Sequence, residues 1–126
     1  MKILVVDDET DVKTLFEQRF RKEIKNGEIL FAFANSGEEA LEYMKTHDHE
    51  AVLILSDINM PGMSGDEVAH VLSEDPATWN IPVVYLTALL EPGATNVLDD
   101  SFGGHWGVSK SAPLVELLRV IAQALQ

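Results

Sequence analysis

Cysteine is absent from the 126 residues, which excludes disulfides and any thiolate metal site and leaves redox chemistry silent about compartment. Basic residues are scarce: 9 Lys and Arg stand against 21 Asp and Glu, for a formal charge of -12. Such a surface repels phosphate backbones and anionic lipid heads, so no nucleic-acid partner and no membrane partner is expected. Long hydrophobic runs are missing too. Ile3-Leu4-Val5-Val6 is far too short for a signal peptide or a membrane span and gives way at once to Asp7-Asp8-Glu9, so a cytoplasmic location is expected. No linker or low-complexity tract divides the chain, and 46% hydrophobic content over this length suits one domain, residues 1–126, with one ordinary core.

What is present alternates. A strand over Ile3–Val6 precedes Val12, Leu15, Phe16, Phe20 and Ile24, spaced as one face of a helix. A second strand over Ile29–Ala34 leads to Ser36-Gly37-Glu38-Glu39, a capping box opening a helix that carries Ala40, Leu41 and Met44. The continuous apolar run Ala51–Leu55 reads as a central strand covered on both faces, followed by the capping box Ser64-Gly65-Asp66-Glu67 and a helix with Val68, Val71 and Leu72. Pro82–Leu86 makes a fourth strand, with a helix expected around Ala94, Val97 and Leu98 behind Pro92-Gly93. Trp106–Val108 makes a short fifth strand, and Leu114, Leu117, Leu118, Ile121 and Leu125 form the cleanest helical stripe. Strands and helices in this order predict an α/β fold: a doubly wound, five-stranded parallel sheet with right-handed crossovers and helices on both faces.

Ligands in such sheets bind beyond the carboxyl ends of the strands. Asp7-Asp8 follow the first strand, Asp57 the third and Thr87 the fourth, while Lys110 closes the fifth. With strand order 2-1-3-4-5, the first and third strands are neighbours about 4.8 Å apart and bring Asp7, Asp8 and Asp57 to one rim. Crowded carboxylates call for a cation, and hard oxygen ligands with no His or Cys beside them favour magnesium or calcium. Lys110 adds a positive charge on a long stem and Thr87 a hydroxyl donor, a set suited to phosphoryl transfer. Taken singly, each residue has a blander reading: a helix cap at Asp7-Asp8-Glu9, a turn at Asp57, a strand-end hydroxyl at Thr87, a solvated Lys110. Their coincidence at ordered strand ends favours the functional one.

These segments resemble the receiver domains of bacterial two-component response regulators, over essentially the whole chain. Ile3-Leu4-Val5-Val6-Asp7-Asp8-Glu9 is similar to the family's acidic-pair strand, Leu55-Ser56-Asp57-Ile58-Asn59-Met60-Pro61-Gly62-Met63-Ser64-Gly65 to its phospho-acceptor loop, Leu86-Thr87-Ala88 to its switch-threonine segment and Val108-Ser109-Lys110 to its lysine strand. The resemblance implies a flavodoxin-like (βα)5 fold and Asp57 as phospho-acceptor. It implies Mg2+ held by Asp8, Asp57 and the backbone carbonyl of Asn59, with Asp7 acting through water. Lys110 would pair with the phosphoryl group, Thr87 would donate a hydrogen bond to it, and Ala88 would leave the nucleophile accessible. The implied donor is a histidine kinase or histidine phosphotransfer protein. The output goes to an unidentified downstream protein, through the face of the fourth helix, fifth strand and fifth helix, which mediates homodimers in similar proteins. A switch of this kind has no substrate-turnover role as an enzyme.

Two positions depart from the family pattern. Gly107 stands where an aromatic packing switch is usual, with Trp106 one place earlier, and Ser111 rather than proline follows Lys110, the proline being delayed to Pro113. A cis Lys110-Ser111 bond would cost about 2.5 to 4 kcal/mol and requires the acidic pocket to hold it. Apolar Leu89, two beyond Thr87, cannot activate a water, so slow loss of phosphate is expected. Two other functions are compatible with parts of the pattern: a receiver-like binding module no longer regulated by phosphorylation, and an aspartyl-phosphate phosphatase. Against the latter, haloacid-dehalogenase-like phosphatases carry a spaced Asp-x-Asp on their first strand, whereas Asp7 and Asp8 are adjacent. His47-Asp48-His49-Glu50 lacks rigid ligand spacing and reads as a loop; His70 and His105 show no partner in sequence, and Trp79 reads as loop packing.

Overall fold

The computed structural model of the chain describes residues 1–47, 50–57, 60–87, 106–109 and 112–125. Its elements run β1 (Lys2–Val6), α1 (Asp11–Arg19), α2 (Arg21–Lys25), β2 (Leu30–Ala34), α3 (Gly37–Thr46), β3 (Leu53–Asp57), α4 (Gly65–Glu74), β4 (Val83–Thr87), β5 (Trp106–Ser109) and α5 (Leu114–Ala124). The five strands form one parallel sheet, as expected from the alternation of elements, in the order β2-β1-β3-β4-β5 that belongs to the flavodoxin-like fold implied by the resemblance. The helix anticipated around Ala94 to Leu98 lies outside the described residues.

Period-two alternation divides the strand side chains between two cores. Ile3, Val5, Leu53, Leu55, Val84, Leu86 and Val108 pack with Val12, Phe16 and Phe20 and with Leu117, Val120 and Ile121 of α5. Leu4, Val6, Ile54, Val83 and Tyr85 pack on the other face with Ala40 and Met44 of α3 and Val68, Ala69 and Leu72 of α4. Both faces are covered, which explains why the central strands read as unbroken apolar runs.

The single helix expected from Val12 to Ile24 is broken at Phe20, whose backbone leaves the helical region at φ -103°, ψ 21°. The break suits burial: Phe20 is fully enclosed, and its ring meets those of Phe16 and Phe31 at 5.7 and 5.0 Å between centroids, with Phe16 and Phe31 edge-on at 5.5 Å. Leu15, Val71 and Leu125, assigned to apolar stripes by spacing, are exposed at 38%, 42% and 41%. Leu15 and Val71 lie at the flanks of their helices, where a stripe wider than the contact leaves its margin in water, and Leu125 is the C-cap beyond the end of α5. Trp79, read as loop packing, is 56% exposed.

Both serine N-caps form at the predicted residues. Ser36 Oγ accepts from the Glu39 N–H at 3.1 Å and Ser64 Oγ from the Glu67 N–H at 3.3 Å. Glu39 reaches back to the N–H of Asn35, one residue before the cap, at 3.2 Å. Helix α3 then approaches the segment after β3 closely: a Cβ at Gly37 would sit 2.8 Å from Val68 Cγ2 and 2.9 Å from Met63 Cβ.

Two substitutions check this packing by urea denaturation. Ser36→Ala should cost about 1 kcal/mol through the lost cap, and Gly37→Ala about 1 to 3 kcal/mol through overpacking against Val68 and Met63. Equal stability of Gly37→Ala and the parent would contradict the close approach of α3 to α4.

Candidate functional site

Strand β1 pairs with β3 so that Val6 is registered against Ser56. The next residues, Asp7 and Asp57, therefore emerge side by side at the carboxyl edge of the sheet. Asp57 is the last residue of β3 rather than the first after it, two residues beyond the apolar run that marked the strand in sequence. The Asp7 N–H donates to the Ala34 carbonyl at 3.0 Å, extending the β1–β2 ladder, and Asp7 Oδ1 accepts from the Glu9 N–H at 2.9 Å, which turns the chain toward α1. Ladder on one side and turn on the other fix the carboxylate of Asp7.

Asp7, Asp8 and Asp57 offer carboxylate oxygens that all lie within 4.8 Å of one another. Asp7 and Asp57 are buried, at 3% and 6% exposure, whereas Asp8 faces solvent. Two buried unit charges at that separation repel by about 3 kcal/mol at an effective dielectric near ~20. The donors are hard oxygens, and among the described residues the cluster contains no His or Cys. The set fits a hard divalent cation such as Mg2+ and does not suit a softer transition metal.

Thr87 ends β4, registered against Ser109 of β5, so its backbone stands at the same edge of the sheet. Lys110, Asn59, Ala88, Leu89 and Ser111 lie outside the described residues, as does the Lys110-Ser111 peptide; every described peptide bond is trans. Gly107 is registered against Tyr85. The buried aromatic residue at this level of the sheet is thus on β4. Burial first, and then the neighbouring Asp66 carboxylate with which it hydrogen bonds, push the Tyr85 phenol well above its ordinary value.

Two polar partnerships escaped the sequence reading. His70 Nε2 meets Glu74 Oε1 at 2.7 Å, an i,i+4 pair that helical spacing makes visible. Arg19 Nη1 donates to the Ala112 carbonyl at 2.8 Å across 93 residues, for which no local signal exists. His47 stacks on Tyr43 with centroids 4.0 Å apart, and Glu50 pairs with Lys2 at 3.7 Å, so both described ends of the His47 to Glu50 segment have partners within the fold. No helix among the described residues is long and apolar enough to cross a membrane.

A family model described as the response regulator receiver domain matches residues 3–122. The response regulator PleD of Caulobacter vibrioides is 38% identical over 107 residues, which cover 77% of this chain and 22% of that protein. A probable cyclic di-GMP phosphodiesterase of Vibrio cholerae is 34% identical over 105 residues, 83% of this chain and 21% of that protein. The chain thus spans about a fifth of the length of these curated relatives. Among solved structures, the chemotaxis protein CheY4 of Vibrio cholerae has the same fold, with a TM-score of 0.76 at 22% identity over 98% of both chains. The N-terminal domain of a response regulator receiver protein from Methanoculleus marisnigri gives 0.68 at 32% identity, covering 98% of this chain and 95% of that one.

The carboxylate cluster makes a thermodynamic prediction. Millimolar Mg2+ should raise the melting temperature relative to a chelator by several degrees, since a ligand of the folded state stabilises by mass action. Asp8→Asn should melt higher than the parent in chelator, through relieved repulsion, and lose most of the Mg2+ response. A full Mg2+ response in Asp8→Asn would remove Asp8 from the site.

Proposed function

Since the chain belongs to the family of response regulator receiver domains, we propose that it is a phosphorylation-regulated switch that accepts a phosphoryl group on Asp57. The observation that carries this reading is the meeting of Asp57 with Asp7 and Asp8 within 4.8 Å at the carboxyl edge of the sheet. Asp8, Asp57 and the Asn59 carbonyl would hold Mg2+, with Asp7 orienting its waters. Bound there, the cation neutralises the crowded carboxylates and the charge of the phosphoryl oxygens.

In the proposed transfer, an Asp57 oxygen forms the new P–O bond as the P–N bond of a phosphohistidine breaks. The electron pair leaves on the imidazole nitrogen, which takes up a proton. The donor is a histidine kinase or a histidine phosphotransfer protein. The Lys110 ammonium pairs with the transferred group, and the Thr87 hydroxyl donates to one of its oxygens. A phosphoryl group adds nearly two negative charges and three acceptor oxygens, enough to bias neighbouring backbone between two arrangements. The response leaves through the face that includes β5 and α5, where Val115 is 73% exposed, toward a downstream protein or a second copy. The chain works without a substrate-turnover role, in the cytoplasm, as one domain over residues 1–126.

Gly107, in place of an aromatic beside Tyr85, favours one second reading: a receiver-like module that binds partners without phosphorylation. Intact mass after incubation with acetyl phosphate and Mg2+ separates the two. The parent should gain one phosphoryl group and Asp57→Asn none; an unlabelled parent supports the unregulated module, and repeated turnover of a generic phosphoester supports a phosphatase. Once labelled, the protein should keep its phosphate for minutes or longer, and a lifetime of seconds would contradict the role given to Leu89.

A further inference from the structure

A cavity of about 380 Å³ opens between α2, the start of β2 and the last turns of α5. Met1 and Ile29 line it and directly precede β1 and β2, so it lies at the amino edge of the sheet. The acidic rim stands at the other edge, the length of β1 away, roughly 16 Å at about 3.3 Å per residue. None of the residues placed at that rim lines the cavity.

Backbone bonds fix the walls. The Glu23 carbonyl accepts from the N–H groups of Glu28 and Ile29 at 2.9 and 3.3 Å, closing a turn through Gly27, whose φ of 74° suits glycine. The Met1 amino group donates to the Glu28 carbonyl at 3.3 Å, and the Leu30 N–H donates to the Met1 carbonyl at 2.8 Å. On the α5 side Ile121 is buried and Leu118 packs against the core, while Met1 and Leu125 form an apolar margin, 44% and 41% exposed. Size, apolar lining and fixed walls match the character of small-molecule sites.

One polar atom departs from this lining. Glu23 Oε1 is buried, and no group among the described residues donates to it. A buried acceptor without a donor costs free energy that a bound donor recovers. Electrostatics select a cationic donor. The carboxylates of Glu23 and Glu28 stand against a single ammonium, that of Met1, which is already bonded to the Glu28 carbonyl. The last turn of α5, with Ile121 and Leu125 on the cavity wall, adds the negative end of a helix dipole. A hard divalent ion needs several oxygens, whereas one buried oxygen among apolar side chains suits one ammonium on an apolar body.

We propose that this cavity binds a small organic cation, a primary amine whose ammonium donates to Glu23 Oε1 while its apolar body packs on Leu118, Ile121 and Leu125. The site is independent of the reading of Asp57 as acceptor.

The test is a titration of the isotope-labelled chain, followed by amide chemical shifts at physiological ionic strength, where attraction to the exposed negative surface is screened. Phenethylamine should shift the amides of Glu23, Ile29 and Leu125 saturably and leave that of Asp7 in place. Phenethyl alcohol, the neutral analogue, should bind about tenfold more weakly, and the anionic hydrocinnamate should not bind. Glu23→Gln should weaken the amine about tenfold and leave the alcohol unchanged. Ala122 lines the cavity from an exposed position, so Ala122→Leu should keep the parent's melting temperature and weaken amine and alcohol alike. Equal affinity for amine and alcohol would overturn the proposal, as would unchanged amine binding in Glu23→Gln. Shifts centred on Asp7 and Asp57 would mean attraction to the acidic rim alone and would also overturn it. So would Mg2+ displacing the amine from Glu23, which would make the cavity a metal site.

Discussion

Repulsion among Asp7, Asp8 and Asp57 is the constraint around which the molecule is arranged. Their oxygens come within 4.8 Å of one another, and two of the three side chains are buried. Separated carboxylates would be better solvated, so the fold must hold these together, and it does so with the parallel pairing of β1 and β3. That pairing is supported by apolar side chains on both faces of the strands, so the unfavourable contact at the rim is offset by burial elsewhere. A hard cation held among these oxygens would offset that repulsion.

The two cores divide the labour around this rim. One face carries α1, α2 and α5, and the Arg19 bond to Ala112 ties the first of these to the entrance of the last. The other carries α3 and α4, whose close approach at Gly37 leaves no room beside Val68 and Met63, the latter in the segment that follows β3. Tyr85 belongs to the second face; its neutral phenol lies beside Asp66 in the first turn of α4, and Gly107 opposite it adds no side chain at that level.

Much of this was legible in the residues alone. Alternation of apolar runs and helical stripes specified five parallel strands, because a buried parallel strand and an amphipathic helix leave different periods in sequence, whereas their order in the sheet came with the family resemblance. Ser36 and Ser64 marked helix starts to the residue, since capping is local chemistry. Asp7, Asp8 and Asp57 were recognisable as strand-end carboxylates, and their union followed from strand order.

Other features depended on contacts between distant segments. The break at Phe20 comes with the burial of its ring against Phe31, and the exposure of Leu15 and Val71 depends on how wide each helix contact is; neither follows from spacing within one helix. Strand β3 extends through Ser56 to Asp57 because ladder bonding, not side-chain polarity, decides where a strand stops. Arg19 and Ala112, 93 residues apart, have no pattern in common along the chain. By itself the sequence determined the elements and the acidic set, because those are written in local period and chemistry. The tertiary structure alone decided which surfaces close on one another and which distant side chain braces the segment after β5, because such contacts arise only when separate elements share one core.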